Sequence, residues 1–384
     1  MRRVCVIHYS EIGLKGRNRP FFEKKLAENV KQALNGVFDA KVERPQGRLV
    51  FLVDGADLQK IVERLASVFG IAWFAFASVA EPNFDSIGRV VMEEASKSVK
   101  QGETIKVEVK RADKKFPVTS LELSRMLGKM LVENLGVKVS LKNPLRKIYV
   151  EVLSGEAYVF TDRVRGLGGI PVGSSGKVLS LLSGGIDSPV ASYLMMKRGC
   201  RVHYLHFHPF QDNAEAENSK IMEIVRRLLP YSGKTTVVFI PAYEFQIATT
   251  NIPAKYDLVL FRRFMLKVAE KVAEAEGARA IVTGESLAQV ASQTLENMVA
   301  ISSGLSTPVF RPLIAYDKEE IIALAKKIGT YELSIKPYKD CCSIIARHPE
   351  TRARVEKVEE LEEKIDISTV ISRSLKLSSK VLVD

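Results

Sequence analysis

The stretch KVLSLLSGGIDSP, residues 177–189, joins an apolar run of strand length to a turn that contains two glycines, two serines and an aspartate. Residues 190–199 follow with helical spacing, two cations in the last turn and a terminal glycine, which is the pattern of a helix and its end. Residues 202–207 are a second apolar run of strand length. This order predicts a βαβ unit whose connecting turn carries the polar groups.

The turn SGGIDS, residues 183–188, has the composition of a phosphate-binding loop. Glycine lets the backbone approach a ligand closely, and the N-terminus of the following helix offers free N–H groups to an anion. The turn lacks both the GxxxxGK[ST] and the GxGxxG spacing of the common nucleotide motifs. It resembles the PP-loop of ATP pyrophosphatases, which cleave ATP to AMP and pyrophosphate. The alternative, an ordinary glycine-rich turn, does not require all six residues in a strand–turn–helix context.

Length and charge limit the classes of protein to consider. A chain of 384 residues with 46% hydrophobic and 27% charged residues predicts two or three globular domains. Its formal net charge is +12. Residues 1–172 contain 29 Lys and Arg against 20 Asp and Glu, a net charge of +9, so the excess lies before the SGGIDS loop. A polyanionic partner, above all nucleic acid, is the interpretation favoured here; the alternative is that the charge only aids solubility.

Cysteine content and hydropathy indicate a cytoplasmic protein. No signal peptide and no run of about 18 apolar residues is present, so we expect neither export nor a membrane span. The thiols are too few and too scattered for a disulfide framework, and no CxxC spacing suggests zinc: Cys5, Cys200, Cys341 and Cys342.

The first half of the chain predicts two small α/β domains. Residues 1–57 show the order of a ferredoxin-like domain, with a strand at 4–9, a helix at 21–34 and a hairpin formed by strands at 40–44 and 48–53. Residues 58–165 predict a second domain. A helix at 58–69 completes the β-α-β-β-α order that suits the ferredoxin-like domain. The second domain has predicted helices at 87–99 and 120–135, the latter with Leu121, Leu127 and Leu131 facing inward, and predicted strands at 71–79, 104–111, 137–141 and 147–153.

Two stretches of this second domain, KVEVKRADKKFPVTSLELSRMLG and KVSLKNPLRKIYVEV, resemble a THUMP domain, an RNA-binding module of tRNA-modifying enzymes. Taken one at a time, its basic residues are explained as well by solvated surface charge. Taken together on one small domain, they favour contacts with RNA phosphates: Lys110, Arg111, Lys114, Lys115, Arg146 and Lys147.

Residues 166–174 are a linker rich in glycine, and residues 175–384 predict a doubly wound parallel sheet. Further predicted elements are helices at 213–229 and 256–276 and strands at 235–240 and 280–283. In such sheets ligands bind at the carboxyl ends of the strands, where SGGIDS, His206-Phe207 and Gly284 all fall. The predicted fold class is therefore multidomain α/β: a ferredoxin-like domain, a THUMP domain and a PP-loop domain.

Further motifs extend the resemblance to nearly all 384 residues: TGESLAQVASQT, GLGGIPVG and EIGLKGRNRPFFEKKL. With SGGIDSP and the THUMP-like stretches, they are similar to the tRNA 4-thiouridine synthetases, the tRNA sulfurtransferase family. One departure is Ala288, where the family usually has glycine. Another is that many members carry an added rhodanese-like domain with a second reactive cysteine, and we expect none here.

The resemblance implies a two-step reaction on tRNA. ATP adenylates O4 of uridine 8 with release of pyrophosphate, and the sulfur of a cysteine persulfide then replaces AMP at C4. AMP is a good leaving group, whereas a uracil carbonyl oxygen is a poor one. The implied cofactors are ATP and Mg²⁺, and the implied partners are tRNA and a sulfur donor in trans, either a cysteine desulfurase or sulfide.

The same resemblance assigns site residues. The phosphates would be held by Ser183, Gly184, Gly185, Asp187 and Ser188, with Asp187 also placed to meet Mg²⁺. The nucleoside pocket would be lined by Leu181, Leu182, His206 and Phe207 and completed by Gly284 and Gln293. Arg262 or Arg263 would face the phosphates, but not both, because adjacent helix residues diverge by about 100°. Lys318 is either a cation near the transferred phosphate or a surface lysine.

Two groups of residues have competing interpretations. His206 with His203 and His208 has no carboxylate or cysteine at ligand spacing, so packed strand residues are favoured over a metal site. Cys341-Cys342 lie among cations, which favour the reactive thiolate over an inert core cysteine: Lys336, Lys339, Arg347 and His348. The family's catalytic cysteine lies in this segment, and Cys342 fits it best, with Cys341 second.

Three other classes of protein fit the sequence less well. A PP-loop ligase that joins an amine to a base or acid would need no cysteine. An RNA-binding protein without activity gives no reason for an intact SGGIDS turn, and a THUMP methyltransferase lacks its glycine motif after a strand. The sequence does not determine the oligomeric state, and a homodimer is compatible with it.

Overall fold

Residues 2–341 and 349–384 are described by the computed structural model, in which the chain separates into two units, Met1–Pro171 and Val172–Asp384. The site residues Cys342, Arg347 and His348 thus lie outside the described residues. Among the residues described, no helix is long and apolar enough to cross a membrane.

The first unit is built on one eight-stranded sheet with the order β2-β1-β3-β7-β6-β4-β5, and β8 pairs with β3. Its strands are β1 Arg3–His8, β2 Leu49–Leu52, β3 Trp73–Ala80, β4 Thr104–Arg111, β5 Lys138–Val139, β6 Arg146–Val152, β7 Ala157–Phe160 and β8 Val164–Arg165. Its α-helices are α1 Arg19–Leu34, α2 Leu58–Leu65, α3 Phe84–Ser98 and α4 Ser120–Leu135, and two short 3₁₀ helices, Glu11–Leu14 and Gly16–Asn18, precede α1.

Among the described residues, three apolar clusters lie against this sheet, and helices cover two of them. In the first, α1 and α2 bury residues such as Leu26 and Ile61 with Ile7 of β1, so the first core extends beyond residue 57. In the second, α3 and α4 pack on β4, β6 and β7. Helix α4 forms where the sequence predicts it, because Thr119 and Glu122 make a reciprocal capping box at its start.

Several predictions for this unit were wrong in detail. The predicted strand at 40–44 is reduced to a single bridge between Glu43 and Val50, so the hairpin has one strand rather than two. Leu121 is 60% exposed, and Leu123 takes the buried place beside Leu127 and Leu131. The strand β7 was not predicted, because its four residues are all buried and show no alternation.

The second unit contains the predicted doubly wound sheet, with the order β13-β12-β9-β10-β11-β14. Its strands are β9 Lys177–Leu181, β10 Arg201–His208, β11 Thr235–Pro241, β12 Ile281–Val282, β13 Val309–Phe310 and β14 Ser379–Val383. Its helices are α5 Asp187–Lys197, α6 Asn213–Glu217, α7 Lys220–Ser232, α8 Tyr243–Ala248, α9 Ala254–Glu276, α10 Leu295–Ser302, α11 Lys318–Ile328, α12 Tyr331–Ser334, α13 Val355–Glu363 and α14 Ile367–Lys376.

Strand order in this sheet locates the ligand site. The five strands from β13 to β11 pair in parallel, and only β14 is antiparallel to its neighbour. From β9 the chain passes to β10 and β11 on one side, and later returns to β12 on the other side. The carboxyl ends of β9 and β12 therefore flank a topological switch point, the place where open α/β sheets bind ligands.

Candidate active site

The SGGIDS loop folds back onto the first turn of α5. The amide N–H of Ser183 donates to Ser188 Oγ at 2.9 Å, and the N–H of Gly185 donates to Ser183 Oγ at 3.2 Å. The two serine Oγ atoms lie 3.1 Å apart. No side-chain cap is made by Ile186 at the start of α5, so the first N–H groups of this helix are available to an anion.

Two glycines of the site are required by close packing rather than by backbone angles. A Cβ at Gly284, just after β12, would lie 2.8 Å from Ser188 N and 3.0 Å from the carbonyl carbon of Asp187. A Cβ at Gly184 would lie 2.9 Å from Lys220 Cε and from Tyr338 Cδ1. The SGGIDS loop and the first turn of α5 thus pack against the end of β12 at Gly284 and against the side chains of Lys220 and Tyr338 at Gly184.

A cavity of about 240 Å³ opens at this point of the sheet. Its apolar lining comes from Leu181, Leu182, Leu205, Phe207, Phe261, Met265, Leu266 and Ile301. Its other lining residues are Ser183, Asp187, Ser188, Arg262, Thr283, Gly284, Glu285, Gln293, Asp340 and Cys341. An apolar slot with a few fixed polar groups suits a nucleobase with an attached phosphate chain.

Asp187 is the charged centre of the loop. Lys318 Nζ lies 2.7 Å from its Oδ1, and Gln289 Nε2 donates to its Oδ2 at 2.9 Å. Lys318 begins α11, whose start is fixed by a capping box between Asp317 and Glu320. The structure thus places Lys318 beside the phosphate loop, with its side chain 44% exposed.

The two neighbouring arginines of α9 have different surroundings. Arg262 lines the cavity and donates to Glu285 Oε1 at 3.0 Å. Arg263 is buried away from it, where its guanidinium binds Glu362 at 3.0 Å and the carbonyl of Ala300 at 2.7 Å. Because adjacent side chains of a helix point in different directions, Arg262 faces the cavity and Arg263 packs in the interior. Arg263 is therefore removed from the candidate ligands.

Sequence reasoning missed Glu285 and Arg311. Arg311 Nε lies 2.7 Å from Glu285 Oε2, so this carboxylate holds two arginines, with Arg262 on its other oxygen. Gln289, which orients Asp187, was also missed. Glu285 directly follows the glycine at the end of a predicted strand, and that position was a usable signal.

His206 does not line the cavity, contrary to the prediction. It is buried, and its Nδ1 lies 2.7 Å from the carbonyl oxygen of Leu182, while its Nε2 lies 2.8 Å from the Tyr338 hydroxyl. A carbonyl only accepts, so Nδ1 carries the proton and Nε2 accepts from Tyr338. Burial lowers the pKa of His206 to about 4, so the ring is neutral at physiological pH.

The three histidines of β10 do not converge on a metal. His203 Nδ1 lies 3.3 Å from Glu276 Oε2, and His208 Nε2 lies 2.8 Å from Asn213 Oδ1. Within residues 2–341 and 349–384, no group of three or more His, Cys, Asp or Glu side chains is placed to hold a metal ion.

Cys341 is buried and lines the cavity beside Asp340, so the segment that carries both adjacent cysteines reaches the nucleotide loop. Of the cations near the cysteines, Lys336 forms an ion pair with Glu223 at 2.7 Å. The role of Cys342 stays a prediction.

The six candidate RNA-binding residues of the first unit form two groups. Lys110 and Arg111 end β4 and precede Lys114 and Lys115, whereas Arg146 and Lys147 begin β6. Because β4 and β6 are parallel and Arg146 pairs with Ile105, the groups lie at opposite strand ends, about 20 Å apart. Arg111 donates to the Phe116 carbonyl at 2.9 Å, so it holds the following loop as well.

A doubly wound sheet with an SGGIDS loop at its switch point defines a nucleotide-binding domain of the PP-loop class. Family models match consecutive parts of the chain: the ferredoxin-like domain of ThiI at residues 4–75, the THUMP domain at 81–162 and the thiamine biosynthesis protein ThiI at 173–367. A probable tRNA sulfurtransferase of Thermoanaerobacter pseudethanolicus is 41% identical over 97% of both chains. The chain belongs to the tRNA sulfurtransferase family, which confirms the resemblance inferred from its motifs.

Other comparisons agree. A probable tRNA sulfurtransferase of Alkaliphilus oremlandii is 40% identical over 98% of this chain and 97% of its own. The crystal structure of a 4-thiouridine synthetase–RNA complex with bound ATP superposes with a TM-score of 0.87, at 35% identity and full coverage of both chains. PH1313 from Pyrococcus horikoshii has a TM-score of 0.66 at 26% identity, covering 86% of this chain and 100% of its own.

Exchanging alanine and glycine within one loop tests the close packing at the switch point. We expect Gly284→Ala to weaken ATP binding about tenfold, because backbone atoms of α5 at 2.8–3.0 Å cannot yield to a methyl group. Ala288 has a φ of 60°, a left-handed angle that disfavours side chains. Ala288→Gly is therefore the matched control, with unchanged ATP affinity and about 1 kcal/mol more stability. Calorimetric titration measures the ATP affinity of each variant, and urea unfolding measures its stability. Equal ATP affinity in the two variants would contradict the packing argument.

The buried His206 makes the second unit sensitive to acid. Its pKa is lowered from 6.5 to about 4 by burial, so between these values the unfolded chain binds a proton that the folded chain excludes. Stability is complete above pH 6.5 and falls as the pH drops toward 4, by about 2 kcal/mol between pH 7 and pH 5 from this residue. Hydrogen exchange of amides 202–208 measures this loss of stability between pH 7 and pH 5. In His206→Gln the loss over the same pH range should be smaller by about 2 kcal/mol. An unchanged pH dependence in His206→Gln would contradict the prediction.

Proposed function

We propose that this protein catalyses the ATP-dependent thiolation of uridine 8 in tRNA to 4-thiouridine. The observation that carries the proposal is that one cavity is lined both by the phosphate loop, with Ser183, Asp187 and Ser188, and by Cys341 of the cysteine pair. Activation of an oxygen by ATP and its replacement by sulfur then occur at one place. The relatives named tRNA sulfurtransferases and the 4-thiouridine synthetase complex with RNA and ATP support the same reaction.

In the first step, uridine O4 attacks the α-phosphorus of ATP, an O–P bond forms, and the bond to pyrophosphate breaks. The N–H groups at the start of α5 and the serine hydroxyls would bind phosphate oxygens, and Lys318 and Arg262 would offset the charge that develops on them. The apolar wall at Phe207 would receive the adenine ring and exclude water from the reacting groups.

Magnesium fits the residues beside the loop. Gln289 donates its amide to Asp187, while its own Oε1 is buried and has no hydrogen-bond partner among the described residues. A carboxylate and an amide oxygen are ligands that Mg²⁺ accepts, together with phosphate oxygens. Asp187 and Gln289 would therefore hold the ion, and the bound ion would supply further neutralisation of the phosphates.

In the second step, the terminal sulfur of a persulfide on Cys342 attacks C4 of the adenylated uridine. A C–S bond forms, the C4–O bond breaks, and AMP leaves. The neighbouring thiol of Cys341 then attacks the Cys342 sulfur, which releases 4-thiouridine and leaves a disulfide between the two cysteines. A thiol reductant reopens this disulfide, after which a cysteine desulfurase transfers the outer sulfur of its own persulfide to the Cys342 thiolate in trans. Sulfide would instead attack the disulfide directly at the Cys342 sulfur, which forms the Cys342 persulfide and frees the Cys341 thiol.

The remaining proposals concern the RNA partner, the cellular compartment and the oligomeric state of the protein. The first unit, with its net charge of +9 over residues 1–172, would bind tRNA, and the protein would work in the cytoplasm, where its substrate lies. A homodimer stays a prediction.

The function is tested by measuring two products in one reaction. The reaction contains purified protein, tRNA transcript, ATP, a cysteine desulfurase and cysteine, and it should yield pyrophosphate and 4-thiouridine. A coupled phosphate assay measures the pyrophosphate, and nucleoside mass spectrometry measures the 4-thiouridine. We expect Asp187→Asn to lower both by about 100-fold or more, because the loop loses its charged centre. Cys342→Ser should abolish 4-thiouridine but retain pyrophosphate release.

Other outcomes assign the chemistry differently. Thiolation that survives in Cys342→Ser and fails in Cys341→Ser would assign sulfur to the buried neighbour. Full thiolation in both would contradict the persulfide step, and modification without sulfur would favour a PP-loop ligase. Cys200→Ser, at a thiol outside the cavity lining, is the matched control and should leave both products unchanged.

Binding of tRNA by the first unit is tested through its salt dependence. The logarithm of the binding constant should fall with log salt by about 0.7–0.9 per neutralised phosphate. Two double variants test the two groups: Lys114→Gln with Lys115→Gln, and separately Arg146→Gln with Lys147→Gln. Each should reduce that slope by about 0.7–0.9 for every phosphate that is no longer neutralised. Lys129→Gln, a 77% exposed residue on α4, is the control with an unchanged slope. Equal slopes in all variants would exclude these residues from the interface.

A further inference from the structure

Lys220, the first residue of α7, is a buried cation beside the phosphate loop. Its ammonium donates to the carbonyl of Ser334 at 2.7 Å and to the carbonyl of Lys336 at 2.6 Å. Burial lowers the pKa of Lys220, an effect that the charge of Asp340 opposes. Lys220 therefore fixes the main chain that leads from α12 toward Cys341.

Lys220 and Tyr338 both pack directly on the loop. Lys220 Cε and Tyr338 Cδ1 occupy the space that a side chain at Gly184 would need, each 2.9 Å from the position of its Cβ. The ammonium of Lys220 lies 5.7 Å from the centre of the Tyr338 ring, within range of a cation–π interaction. The backbone of the phosphate loop thus touches the segment that carries the cysteines.

Hydrogen bonds through His206 make a second connection. The Tyr338 hydroxyl donates to His206 Nε2 at 2.8 Å, and His206 Nδ1–H donates to the carbonyl of Leu182 at 2.7 Å. Burial raises the pKa of Tyr338 to about 12, so the hydroxyl keeps its proton at neutral pH. Because the carbonyl of Leu182 can only accept, each bond in this series has one donor–acceptor arrangement, which makes the connection directional.

Every second residue is anchored along the segment that leads to the cysteines, at Ser334, Lys336 and Tyr338. The carbonyls of Ser334 and Lys336 are held by Lys220, and the ring and hydroxyl of Tyr338 are held by the loop and by His206. Cys341 follows three residues after Tyr338 and lines the cavity. The chain is therefore anchored to the phosphate site immediately before it reaches the cysteine pair.

We propose that Lys220, His206 and Tyr338 are positioning residues that hold the cysteine-bearing segment against the phosphate loop, and so couple adenylation of the uridine to its capture by sulfur. This inference rests on the proposed function and extends it. Without the coupling, adenylated uridine would wait for a cysteine that is displaced from its reacting position, and water or simple dissociation would compete. Loss of a positioning residue should waste ATP rather than weaken its binding.

Tyr338→Phe is the sharpest test, because it removes one hydroxyl and leaves the ring packed on Gly184 and Lys220. We expect kcat for 4-thiouridine formation to fall about tenfold, while KM for ATP changes less than about twofold. The ratio of pyrophosphate released to 4-thiouridine formed should rise several-fold. A merely structural defect would lower both products in proportion and leave this ratio unchanged.

Tyr331→Phe is the matched control, since this tyrosine lies in the neighbouring α12 and its ring contacts Lys326 instead. Its product ratio should equal that of the unmodified chain. Lys220→Met, which keeps the aliphatic stem and removes the charge, should raise the ratio as Tyr338→Phe does, with thermal unfolding recorded for each variant.

Three results would overturn the inference. Unchanged formation of both products in Tyr338→Phe excludes coupling through the hydroxyl, and proportional loss of both products, with their ratio unchanged, reduces the three residues to packing. Unmodified protein that releases pyrophosphate without ever forming 4-thiouridine, with either the desulfurase or sulfide, would overturn the proposed function and this inference with it.

Discussion

The close approach of two backbones at the switch point is the constraint on which the site depends. Gly284, at the end of β12, faces the first turn of α5 at a distance that no side chain can occupy. Because the two segments touch, Glu285 and Gln293 reach the same cavity as the SGGIDS loop. The same contact places the N-terminal turn of α5, a position that favours anions, at the end of β12.

Paired charges then fix the polar groups around this contact. Lys318 and Gln289 hold the two oxygens of Asp187, and Arg262 and Arg311 hold those of Glu285. The two largely buried pairs of Glu285 add little net stability, because desolvation offsets much of their attraction, and the pair of Lys318 with Asp187 adds little because Lys318 is 44% exposed to solvent. Their value is in geometry, since each cation is already oriented before a triphosphate enters. The first unit has its own sheet and carries a net charge of +9 over residues 1–172.

Where sequence reasoning failed, the deciding contacts were distant in the chain. The pattern around Arg262 and Arg263 shows a helix, but it does not show which of the two adjacent side chains faces the cavity and which faces Glu362. The apolar run of β10 shows a buried strand, yet His206 is turned to Leu182 and Tyr338 rather than to the nucleotide pocket. The strand β14 went unpredicted because its five residues form a strand only by pairing with β11.

By itself, the sequence determined the βαβ unit, the phosphate loop and the family, because apolar periodicity, glycine turns and contiguous motifs are local properties. Of the five loop residues that it named, Ser183, Asp187 and Ser188 line the cavity, whereas Gly184 and Gly185 are not among its lining residues. Only the tertiary structure decided how Lys318 meets Asp187 across 131 positions and how Tyr338 meets His206 across 132. Such pairings follow from the order of strands and the packing of helices around the switch point, and no local pattern in the chain encodes the distance between two of its segments.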